Sequence, residues 1–188
     1  MSESGLTLKN APIVEAVLDL DCDLPPSLDF AALQNAVKDT YNDRYPTFRP
    51  LFFQETKIES KSDTPAEMSG RRGIQAFQCF DKTEKQLVQV RAQGYSFNRL
   101  TPYTSMDDYL PEIERTWHLF LKLVSPVQLR VVRLRYINRI LLPLTNGQVE
   151  LDQYLKMNLR PADDKLMMTG FLNQYAAVEE KTGHEVNV

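Results

Sequence analysis

Four arginines lie within one apolar stretch, Val127 to Leu142 (VQLRVVRLRYINRILL), and their spacing constrains the fold more than any other feature of the chain. Side chains alternate across a β-strand, so counting by two from Arg133 places Arg133, Arg135 and Arg139 on one face with Ile137 between them. Val132, Leu134, Tyr136, Ile140 and Leu142 fall on the other. The pattern predicts a strand with one face built for burial and the other suited to anions.

The remaining pattern surrounds that strand with an α+β domain. From Pro12 to Cys22, Val14, Ala16, Leu18 and Leu20 alternate with Glu15, Asp19 and Asp21, which reads as a half-buried strand with an acidic outside. Pro25-Pro26-Ser27 ends it, and Phe30, Leu33, Val37 and Tyr41 recur at helical spacing from a cap at Asp29 or Ser27 to about Asp43. A strand is expected over Leu51 to Ile58, then a mobile polar loop over Ser60 to Gly73 (SKSDTPAEMSGRRG). Ile74 to Phe80 and Gln86 to Leu100 read as a hairpin about the turn Asp81 to Lys85, with Gly94 marking a bulge or bend in its second strand.

Ser105-Met106-Asp107-Asp108 opens a core helix whose stripe is Tyr109, Ile113, Trp117, Phe120 and Val124, closed by Ser125-Pro126. After the arginine strand a short helix is expected around Leu151 to Leu159 and a last strand over Lys165 to Val178. Runs of strands interrupted by single helices predict a two-layer α+β sandwich, a mostly antiparallel sheet with helices packed on one face. Its 188 residues are read as one domain.

Composition removes several function classes. Twenty-two basic against 25 acidic residues give a net charge of -3, so no global field draws in nucleic acid or an anionic membrane. The N-terminus lacks a basic-then-apolar leader and no apolar run approaches the roughly 18 residues of a membrane span, so a cytoplasmic protein without a membrane partner is expected. Cys22 and Cys79 lack metal-ligand spacing and read as buried reduced thiols.

Three segments, LKNAPIVEAVLDL, FNRLTPYTSMDDYLPEIERTWHLF and LRYINRILLP, in this order and spacing, resemble an uncharacterised, sporadically distributed family of bacterial and archaeal proteins. The likeness covers most of Leu8 to about Leu155. It implies no activity, cofactor or catalytic residue. Family members run some tens of residues longer, and the ending KTGHEVNV has the character of a strand beginning, so a chain shortened at its C-terminus is expected.

For chemistry, nucleophilic catalysis needs a positioned base, and the two histidines, His118 and His184, stand in no triad context. No HxH, CxxC or HExxH spacing occurs, and Gly70-Arg71-Arg72-Gly73 lacks the Lys-Ser/Thr of a phosphate loop. No catalytic residue, metal centre or cofactor is therefore expected. Glu15, Asp19 and Asp21 are candidate ion-pair partners for the arginine strand or, with a further partner, metal ligands. Arg133, Arg135, Arg139 and Arg99 are the candidate anion- or partner-binding residues.

The leading expectation is a non-enzymatic binding or assembly protein whose charged open sheet engages a protein partner or a second copy, with Leu51-Phe52-Phe53 adding interface area. A competing expectation is a nucleic-acid-binding or nucleic-acid-processing module in which Tyr95, Phe97 and Tyr136 stack beside Arg91, Arg99 and the arginine strand. A third is a small-ligand cleft between the Trp117 helix and the sheet, near Tyr136.

Overall fold

A computed structural model describes residues 11–61, 64–144, 154 and 176–187. Two compact units divide the chain, 1–140 and 141–188. In the first, the strands β1 (Ile13–Asp23), β2 (Thr47–Lys61), β3 (Thr64–Phe80), β4 (Gln86–Arg91), β5 (Gly94–Leu100) and β6 (Gln128–Asn138) form one sheet. The helices α1 (Gln34–Tyr41) and α2 (Leu110–Val124) supply its second layer. Strand order is β2-β3-β4-β5-β1-β6 and every pairing is antiparallel, as the sequence predicts for a two-layer α+β sandwich. In the second unit β7 (Ala176–Val178) pairs with β8 (Glu185–Asn187). The helix expected around 151–159 and most of the last expected strand lie outside the described residues.

The helices cover one face because both are apolar on one stripe. Val37 and Tyr41 of α1, and Ile113, Thr116, Phe120 and Val124 of α2, are buried at helical spacing. They meet Leu20, Cys22, Phe77, Cys79, Val88, Val90, Tyr95 and Phe97 from alternate positions of four strands. Asp29 begins the first helical turn as expected, its Oδ1 accepting from the amides of Ala31 at 3.0 Å and Ala32 at 3.3 Å. The hydroxyl of Thr116 meets that of Tyr95 at 2.6 Å, and the Tyr41 hydroxyl donates to the Thr116 carbonyl at 3.0 Å. These bonds let the polar ends of two buried tyrosines sit inside the core.

Two local expectations are corrected. The described residues 60–61 and 64–73 are no loop: β2 and β3 continue as a long paired ribbon, with Thr56 opposite Gly70 and Ile58 opposite Met68. The polar composition that suggested a loop is compatible with a ribbon whose backbone groups are satisfied across the pair. Gly94 marks the end of a hairpin turn, so Gln86 to Leu100 forms two strands where one was expected. Its φ of +137° and the close approach of the Leu20 carbonyl, 2.1 Å from where a Cβ would stand, explain why only glycine fits.

Candidate functional site

The face of the sheet turned away from the helices carries the charge. Antiparallel register sets Asp19 opposite Arg133, Val17 opposite Arg135 and Asp21 opposite Val131. The ion pairs run diagonally instead of straight across. Arg135 donates to Asp19 Oδ2 from Nη2 at 2.7 Å and from Nε at 3.1 Å, and Arg133 donates to Asp21. Arg130, at the bulge near Cys22, donates from Nε to Asp23 at 2.6 Å. All three diagonals lean the same way along β6, as the twist of paired strands favours.

The same acids are held from the other side. Arg91 of β4 donates to Asp21 at 2.7 Å and stands 3.6 Å from Asp19. Ser96 of β5 donates to Asp19 at 2.5 Å. Asp19 is only 5% exposed, and these contacts provide the partners that a buried carboxylate requires. Glu15 is not part of the ion ladder: it lies opposite Ile137 and accepts from Asn98 Nδ2 at 2.7 Å. Asn98 in turn accepts from Gln89, and Gln89 from Gln78, so an amide chain crosses β3, β4 and β5. Sequence alone pairs acids with arginines; it does not reveal that β5 contributes an amide and a hydroxyl to the same face.

The other candidates separate. Arg139 lies just beyond β6, its amide donating to the Pro12 carbonyl at 2.8 Å. Arg99 stands on the helix side, its guanidinium 5.1 Å from the Tyr109 ring and its buried Nε without a hydrogen-bond partner. Tyr95 and Phe97 are fully buried beneath the helices and present no stacking surface. Tyr136 projects from the face opposite Arg133 and Arg135, its ring 5.7 Å from Tyr103. Trp117 packs edge-on against Tyr95 and stacks on Phe120, so it belongs to the core and to a different aromatic group from Tyr136. An open cleft lies elsewhere, lined by Asp21, Asp23, Leu24, Gln93, Val127 and Arg130 among others.

The burial expected for one face of β6 is not found. Val132, Leu134 and Tyr136 are 59, 45 and 43% exposed, and the helices pack on β3 and β5 instead of on β6. The side chains of Arg133 and Arg135 on the other face are 49 and 58% exposed while holding their acids. Apolar and cationic surface therefore stand back to back on one strand. Position is the signal sequence reading lacked: alternation predicts burial only for a strand with something packed on it.

Among the described residues no three His, Cys, Asp or Glu side chains group as metal ligands, and no helix is long and apolar enough to cross a membrane. Cys22 and Cys79 are free and buried, and burial pushes the Cys79 thiol up to about 12 and also raises that of Cys22. His118 and His184 are exposed. No family model, curated protein or solved structure matches this chain.

Proposed function

We propose that the chain is a non-enzymatic binding or assembly protein that engages another polypeptide through its open sheet. The observation that carries this reading is the state of β6, an edge strand among the described residues whose Arg133 and Arg135 each already hold one carboxylate of β1 while its apolar side chains stand exposed. Apolar residues on an unpaired strand edge favour association with another chain. Internally paired arginines, with Tyr95 and Phe97 buried, support a nucleic-acid role less well, since such sites combine available cations with stacking rings.

The reading is tested by sedimentation over a wide concentration range, alone and with an added extended peptide, and by a photo-crosslinker at exposed Tyr136, against the Val132→Lys/Leu134→Lys variant and a crosslinker control at exposed Glu114. Association or crosslinking confined to β6 and lost in the variant is the expected result. Salt-sensitive binding of single-stranded RNA that disappears in Arg133→Ala/Arg135→Ala would overturn it in favour of a nucleic-acid module.

A further inference from the structure

The outer edge of β6 has no partner strand among the described residues, and the side chains flanking that edge have a definite chemistry. We infer that β6 is a strand-addition site, and that its occupant is an extended segment of another protein in which apolar residues alternate with Asp or Glu. The inference rests on the reading of this chain as a polypeptide-binding module.

Between Gln128 and Asn138 there is no proline or lysine to discourage pairing, and the two register shifts against β1 lie at the ends, near Cys22 and between Ile13 and Glu15. The part in unbroken register, Val131 to Ile137, offers a continuous row of backbone donors and acceptors. An added strand would lie about 4.8 Å away, in reach of the same side chains that already meet β1. Those side chains define what the added strand must carry. On one face they are Val132, Leu134 and Tyr136, and on the other Arg133 and Arg135, each held by a single carboxylate among the described residues and left with N–H groups to spare. The inner neighbour shows which strand satisfies this pattern: β1 sets Leu18 and Leu20 on the apolar face and Asp19 and Asp21 on the cationic one.

Charge also disfavours a second copy in the registers centred on Arg133, Leu134 or Arg135. Laid antiparallel about a two-fold axis through Leu134, two β6 strands would set Arg133 opposite Arg135 twice. An axis through either arginine sets it opposite itself. Like charges directly opposite are destabilising, whereas an acidic strand meets the same guanidiniums favourably.

The probe is a labelled synthetic peptide of residues 12–23 carrying Cys22→Ser, titrated by fluorescence anisotropy into the full chain, with hydrogen exchange of β6 followed alongside. Expected are saturable binding, slowed exchange at alternate β6 amides, and about tenfold weaker binding for Arg133→Ala/Arg135→Ala, checked as folded by circular dichroism. A peptide carrying Glu15→Lys, Asp19→Lys and Asp21→Lys should bind at least about tenfold more weakly. Equal binding of the two peptides, or dimerisation through β6 itself, overturns the proposed chemistry. If neither peptide binds while the Val132→Lys/Leu134→Lys variant still abolishes association, the acidic strand is wrong and the binding-module reading stands. Silence in both assays overturns the two together.

Discussion

Asp19 and Arg135 share an ion pair but not an environment: the carboxylate is buried while more than half of the arginine side chain is exposed. Removing each should therefore have unequal effects. Asp19→Asn leaves Arg91 and Ser96 facing a weaker acceptor in a desolvated site, and a loss of about 2–3 kcal/mol is expected. Arg135→Ala removes a solvent-screened partner and should cost less than about 1 kcal/mol. Urea unfolding of both variants at neutral pH decides the matter, and equal losses would mean that Asp19 does not organise the cluster. The acids and arginines were legible in the sequence because alternation places like-facing residues two apart. The diagonal offset was not, because it depends on twist, and neither was the exchange of Glu15 for Asn98 as a pairing, because strand order decides who stands next to β1.

At the scale of elements, both helices and the core strands could be read from periodicity, since burial on one side imprints 3.6- and 2-residue repeats. The ribbon of β2 and β3 could not. At residues 51–56 and 70–75 no side chain is buried, so nothing there imposes alternation, and Gly70-Arg71-Arg72-Gly73 looks like a loop although it pairs residue by residue with Phe53 to Thr56. Arg72 lies 4.8 Å from the Phe52 ring and Arg71 5.6 Å from that of Phe53, contacts that fasten the two strands by cation–π attraction. Gly73 leaves space for the Phe53 ring, which a Cβ would meet at 2.6 Å. Amides of residues 52–56 and 70–74 should accordingly exchange at least about tenfold more slowly than unstructured amides of the same sequence. Exchange at the unstructured rate would return this segment to a loop.

Across the first unit, helices and sheet are tied together at Glu112. This α2 carboxylate accepts from Arg115, from Arg44 at 2.7 Å and from the Tyr45 hydroxyl at 2.9 Å, and Gln86 of β4 donates to the same hydroxyl. Burial pushes the carboxyl up, but the hydrogen bonds from Arg115 and Tyr45 and the charges of Arg115 and Arg44 outweigh it and hold it below its ordinary 4.5. A depressed folded-state value stabilises the fold above the unfolded value and ceases to do so as pH falls through the folded one. Wild type should therefore exceed Glu112→Gln in thermal stability at pH 7, with the gap closing below about pH 4.5; a gap that widens on acidification would contradict this placement. The sheet's edge carries a different kind of control. Sliding β6 by two residues so that Asp19 faces Arg135 would also bring Asp21 opposite Arg133, whereas a slide the other way would leave both acids facing Val131 and Leu129. The ion ladder is thus a ratchet, permissive in one direction and closed in the other. In the permissive direction it is the strand ends that stop the slip, where the Val127 amide donates to Asp23 and the Arg139 amide to Pro12.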